Sequence, residues 1–102
     1  MKNILKIHLI LLSTIIAQNG TITGFVKDKT NDSFLIGANV IIEGTSQGAA
    51  SNADGRYTIR QVSAGEYNVM VSYIGYKIFK KSITVKTGET LTLNLDLQPE
   101  AL

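Results

Sequence analysis

From Gly20 onward, apolar and polar residues alternate with period two, and Gly, Asp, Asn or Ser interrupts the alternation about every ten positions. Short strands with one buried face, joined by tight turns, produce this pattern. Residues 21–28, rich in β-branched Thr21, Ile22, Thr23 and Val26, read as a first strand that leads into a polar loop through Ser33. In residues 38–43, Val40 and Ile42 share one face while Asn39, Ile41 and Glu43 share the other. The small residues 48–52 allow a short third strand that packs little. Residues 56–62 place Tyr57 and Ile59 on one face, opposite Arg56, Thr58 and Arg60. Residues 66–73 alternate most cleanly, with Tyr67, Val69, Val71 and Tyr73 aligned, and are predicted to form a central strand. A further strand over 77–85 turns Ile83 and Val85 inward. The last, over 90–97, aligns Leu91, Leu93, Leu95 and Leu97, each contributing about 1.5–3 kcal/mol if fully buried. No segment sustains a helical period.

Turn chemistry falls between these runs. Residues 44–59 contain Gly44 and Gly48, a run of small residues, and Asp54-Gly55 entering the Tyr57/Ile59 strand. The glycines read as positions with φ > 0, and Asp54 as a turn residue whose carboxylate binds nearby backbone N–H groups. Gly65 closes the Ser63-Ala64-Gly65 turn, and Gly75 marks a bulge or tight corner where Ile74-Gly75-Tyr76 breaks the alternation. Six or seven short antiparallel strands imply a β-sandwich of immunoglobulin-like or transthyretin-like type. The Trp between two cysteines of an antibody domain is missing, which argues against that subclass.

Composition changes the picture at the N-terminus. Lys2 and Lys6 precede an apolar run from Ile7 to Ile16, and Ala17 supplies a small residue at a cleavage point. Residues 1–17 read as a secretory signal peptide, since a spanning helix needs about 20 apolar residues. Its removal takes two of the 10 Lys and Arg residues and leaves eight basic against 8 acidic side chains. The mature domain, 18–99 with 100–102 as the start of a linker or a truncated end, is therefore formally neutral, and the sequence pI near 9.0 gives no support for a nucleic-acid partner. With no cysteine, stability must come from core packing, and no N-terminal lipid anchor can form.

The single histidine, His8, lies in the signal segment, so the mature chain has neither His nor Cys. That removes Ser-His-Asp and Cys-His nucleophilic schemes and the usual zinc ligand sets. Asn52-Ala53-Asp54-Gly55 has a passing likeness to a calcium loop. Yet Asp54 is the only carboxylate between Glu43 and Glu66, and Ca²⁺ takes about 6–8 oxygens, so a hairpin turn is the better reading. The carboxylates fall mostly in turns or on polar strand faces, and no catalytic residue, cofactor or metal is expected. Three of the four tyrosines lie on apolar strand faces as core residues; Tyr76, beside the Gly75 break, is the candidate surface contact for a glycan. Lys80-Lys81 reads as protection of an edge strand.

Six segments in order carry a family resemblance: Gly24-Phe25-Val26-Lys27-Asp28, Leu35-Ile36-Gly37-Ala38-Asn39-Val40, Gly44-Thr45 with Gly48, Asp54-Gly55-Arg56-Tyr57, Gly65-Glu66-Tyr67, and Val71-Ser72-Tyr73-Ile74-Gly75-Tyr76. Together they resemble the carboxypeptidase regulatory-like domain family over Gly20 to about Pro99. The resemblance implies a seven-stranded transthyretin-like sandwich, an accessory domain that lacks the separate zinc-bearing catalytic domain of carboxypeptidases. In that family a copy placed directly after a signal peptide is often the periplasmic N-terminal extension of a SusC-like TonB-dependent outer-membrane receptor. Residues 95–102 resemble the segment leading to the receptor's TonB box. The implied partners are the remainder of such a receptor or a periplasmic protein, and glycans; the alternative is a free-standing carbohydrate-binding or adhesion module at the cell surface or secreted.

Overall fold

A computed structural model describes residues 19–101 of the chain. The expected signal peptide over 1–17 lies outside the described residues. Among the described residues eight strands form: β1 (Gly20–Asp28), β2 (Asn39–Ile42), β3 (Gly48–Ala50), β4 (Arg56–Val62), β5 (Gly65–Ser72), β6 (Phe79–Val85), β7 (Thr90–Thr92) and β8 (Leu95–Leu97). They build two sheets. In one, β4 pairs antiparallel with β1, and β7 and β8 follow one another along the other side of β1. The second has the order β3-β2-β5-β6 and is antiparallel throughout. Ile22, Val26, Tyr57, Ile59, Leu95 and Leu97 of the first sheet meet Val40, Ile42, Val69, Val71, Ile83 and Val85 of the second in one buried core. The chain is thus an all-β sandwich, and β5 is central as its alternation predicts.

The expected final strand over 90–97 is two strands, and both pair parallel with β1 where an antiparallel neighbour was expected. The register does not slip across the break. Thr23 faces Thr92 and Val26 faces Leu95, so the interruption is local to Leu93 and Asn94. There the Asn94 side-chain Oδ1 accepts the Phe25 N–H at 3.0 Å in place of a backbone carbonyl. The Leu93 carbonyl accepts the Tyr57 hydroxyl at 2.5 Å. Tyr57 lies opposite Gly24 in the β1/β4 register, so its ring must cross Gly24 to reach Leu93 on the far side of β1. A Cβ on Gly24 would overlap the Leu93 carbonyl. Gly24, Tyr57, Leu93 and Asn94 therefore act as one unit, with glycine permitting the close approach.

Edge strands are managed as the lysine pair predicts. β6 borders its sheet and carries Lys80 and Lys81. Lys81 has the parity of Ile83 and Val85 yet is exposed, a charge that opposes pairing with another sheet. Lys80 reaches Glu43 at 3.2 Å across the outer face, a surface pair that adds little stability. On the β4 edge, Gln61 adopts φ 59 at a bulge. The Gln47 side-chain amide donates to the Arg60 and Gln61 carbonyls at 3.1 and 3.0 Å, occupying acceptors that an added strand would need.

Candidate functional site

The residues that converge lie at one end of the sandwich, where the end of β1, the loop before β2, the β5–β6 corner and the segment after β8 meet. Asp28, the last residue of β1, keeps the inward parity of Ile22 and Val26 and is buried. Its Oδ1 accepts the Thr30 N–H at 2.7 Å and the Thr30 hydroxyl at 2.5 Å, and its Oδ2 accepts the Tyr76 hydroxyl at 2.6 Å. These bonds, the Thr30 and Tyr76 hydroxyls foremost, outweigh desolvation and hold the carboxyl below the usual aspartate range. The same carboxylate pushes the Tyr76 phenol upward. A carboxylate committed on both oxygens is a poor base or ligand; its chemistry here is to hold the corner to β1.

That corner is a four-residue turn. Tyr76 N–H donates to the Tyr73 carbonyl at 3.0 Å, and Gly75 takes φ +90, which a β-branched residue tolerates poorly. Ile74 therefore projects from the turn, 95% exposed. Tyr73 and Tyr76 pack with ring centroids 5.6 Å apart. The outgoing chain is tied to the same corner: Lys77 N–H donates to the Gln98 carbonyl, Glu100 N–H donates to the Gly75 carbonyl, both at 2.9 Å, and Tyr76 bridges Pro99. Beside the corner lies an open groove of about 670 Å³, bounded by Gly37, Asn39, Ser72, Tyr73, Ile74, Tyr76 and Ile78. A second, more polar depression of about 570 Å³ lies on the outer face of β5 and β6, bounded by Glu43, Glu66, Asn68, Ser82 and Thr84.

The structure agrees with the positive φ expected at Gly44 and Gly55 and differs at Gly48 and at the Asp54 cap. Tyr76 is half-buried, packs against the core and lines the groove, and its hydroxyl is bonded to Asp28. In the 52–56 turn the capping side chain is Asn52, whose Oδ1 accepts the Asp54 and Arg56 N–H groups at 2.9 and 3.0 Å; Asp54 is exposed. Gly55 has φ +77, and an added Cβ would also meet the Phe34 ring. Gly44 has φ +82 in the β2–β3 turn. Gly65 opens β5 at φ 159, which is nearly extended. Gly48 is not a positive-φ turn residue: it lies in β3 opposite Ile41, where its missing side chain lets the Val40 carbonyl come close.

One cluster escaped the sequence reading. On the outer face of the first sheet, the Arg56 guanidinium sits 4.4 Å from the Phe25 ring centroid, Phe25 packs on Phe34 at 5.3 Å, and Lys27 Nζ lies 5.7 Å from the Phe34 centroid. It depends on the Phe25/Arg56 register and the Lys27/Phe34 bridge, and the only hint in the sequence is an aromatic residue at a polar-parity position. Among the described residues no group of three or more His, Cys, Asp or Glu side chains is placed to hold a metal ion. No helix among them is long and apolar enough to cross a membrane.

Comparison with known proteins follows the same lines. The chain is 42% identical over 62 residues to the TonB-dependent receptor SusC of Bacteroides thetaiotaomicron, which covers 60% of this chain and 6% of that protein. It is 32% identical over 97 residues to the TonB-dependent transporter Oar of Myxococcus xanthus, covering 88% of this chain and 9% of that one. The chain thus spans less than a tenth of the length of these two relatives. Among solved structures, a type II cohesin–X-dockerin complex from Acetivibrio cellulolyticus contains a chain that superposes with a TM-score of 0.66 at 20% identity, over 79% of this chain and 58% of that one. That likeness concerns the fold alone. Residues 22–102 match the CarboxypepD_reg-like domain, and the chain belongs to that family.

Proposed function

We propose that the chain is a non-catalytic accessory domain of a TonB-dependent outer-membrane receptor for nutrient uptake, forming its N-terminal extension on the periplasmic side. The observation that carries this reading is the similarity to SusC and Oar, receptors of which a domain of this size makes up less than a tenth. Two features of the chain support it. The residues after the expected signal segment include no His or Cys, and the buried carboxylate Asp28 is committed to Thr30 and Tyr76. The domain's contribution is then its surfaces: strand edges, loop tips and the groove at the β5–β6 corner.

Reading the gene beyond the codon for Leu102 tests the proposal. The expected frame continues into a plug and a β-barrel; a stop codon would overturn it in favour of a free-standing carbohydrate-binding or adhesion module. NMR titration of the domain with oligosaccharides separates the two readings at the protein level. The expected result is no saturable shift at Tyr73 or Tyr76 up to about 1 mM ligand, the concentration scale of roughly −4 kcal/mol. Saturation below that concentration would favour the sugar-binding module.

A further inference from the structure

Ile74 and Ile78 line the groove at 95% and 62% exposure, and Ile36, 54% exposed, adjoins Gly37 on its rim. They are three of the four large apolar side chains left exposed among the described residues. The fold gives no local reason for Ile74: the second position of a turn accepts most residues, and a polar one would be better solvated there. Apolar side chains gathered at a concave site mark a surface that is covered in the working protein. No charged side chain lines the groove, and Asn39 and Ser72 supply polar side chains beside Tyr73 and Tyr76.

The path of the outgoing chain indicates what covers it. Segment 98–100 runs antiparallel to 75–77, with Lys77 bonded to Gln98, Tyr76 bridged to Pro99 and Gly75 bonded to Glu100. Glu100 is bonded to Gly75, the neighbour of Ile74, so the outgoing chain leaves the described residues beside the groove. Anything attached there is held at an effective concentration of about millimolar or more, and even a small apolar contact is then occupied. An extended chain advances about 3.3–3.6 Å per residue, so about ten residues can cross the whole groove. Asn39 and Ser72 are register partners at the ends of β2 and β5, suited to hydrogen-bond the backbone of such a segment.

Resting on the receptor reading above, we propose that this groove is filled in cis by an apolar, extended segment of the receptor that follows residue 102. The contact fixes the direction in which the domain hands the chain to the receptor body. Ile74 and Ile78 are its apolar contacts, and the Asp28–Tyr76 bond keeps the corner in place for them.

The test is made in the full-length gene product. If the reading frame holds no receptor sequence after residue 102, the receptor reading fails before any protein is made, and this proposal fails with it. If it does, p-benzoylphenylalanine is placed singly at position 74, at 78, or at the exposed outer-face position Thr92, and photo-cross-linked peptides are identified by mass spectrometry of a mixture of isotopically light and heavy protein. The expected products from 74 and 78 join the probe to the same polypeptide shortly after residue 102, with a yield about tenfold above that from Thr92. Ile78→Asp with the probe at 74, and Ile74→Asp with the probe at 78, should each return the yield to the Thr92 level without lowering the melting temperature. Mixed light–heavy products, products with another protein, or yields equal to that of Thr92 while the receptor reading stands would overturn the proposal.

Discussion

Removing one oxygen atom from Tyr57 tests the account of how the two strands beside β1 are held. The side chain is 1% exposed, and its hydroxyl donates to the Leu93 carbonyl at 2.5 Å, at the point where β7 gives way to β8. Tyr57→Phe keeps the ring over Gly24 but leaves that carbonyl, on a residue only 8% exposed, without this donor. Loss of one partner from a buried hydrogen bond costs about 1–3 kcal/mol, so the expected destabilisation is about 2 kcal/mol. For a domain of this size that lowers the melting temperature by roughly 8–16 °C. A second signature follows from titration. Burial raises the Tyr57 phenol above its ordinary value, so the folded state resists ionisation that the unfolded chain undergoes near pH 10. The stabilisation from Tyr57 is thus complete below about pH 10 and declines as pH rises further, by at most about 1.4 kcal/mol at pH 11, less whatever solvent screens. The stability gap between wild type and Tyr57→Phe should therefore narrow on the alkaline side. Urea denaturation followed by circular dichroism at pH 7, 9 and 11 measures both effects. Equal midpoints at pH 7, or parallel declines to pH 11, would refute the linkage of Gly24, Tyr57 and Leu93.

Three further perturbations probe the same frame. Gly24→Ala drives a Cβ into the Leu93 carbonyl and should cost about 3 kcal/mol, the upper end of the usual overpacking range; urea midpoints within error of wild type would contradict the close approach. Gly55→Val combines φ +77 with contact on the Phe34 ring, so a loss of at least about 1 kcal/mol is expected, whereas Asp54→Ala, which removes no cap, should shift the midpoint much less. The Asp28 carboxyl is held below its ordinary value, so its contribution is present above about pH 4 and lost as pH falls through the lowered folded value; the acid limb of a pH–stability curve should flatten in Asp28→Asn, and an unchanged limb would refute the role given to Thr30 and Tyr76.

Much of this protein is legible without coordinates because the code for a half-buried strand is local. Alternation alone placed Val40 and Ile42, Tyr57 and Ile59, the Tyr67–Val69–Val71–Tyr73 series, Ile83 and Val85, and the Leu91–Leu93–Leu95–Leu97 series on the core side; all are buried except Leu91, Tyr67 and Tyr73, which are half-buried. Composition alone shows that no histidine or cysteine follows residue 17. The ordered glycine and turn motifs indicated the family, which the match over residues 22–102 bears out.

What the tertiary structure decided concerns partners across the chain. Period two states which face a residue occupies but not which strand lies alongside, because pairing depends on loop closure and on how two sheets fill one core. The leucine run at 90–97 would read the same in an antiparallel hairpin, yet it lies parallel to β1 and breaks where Asn94 accepts the Phe25 N–H and Tyr57 donates to the run's own Leu93 carbonyl. Asp28 and Tyr76 are 48 residues apart, and their bond exists only because β1 and the β5–β6 corner end at the same pole of the sandwich. Ile74 looks like one more apolar residue in a strand-rich chain; only the folded corner, with its hydrogen bonds committed and the outgoing chain alongside, leaves it facing solvent.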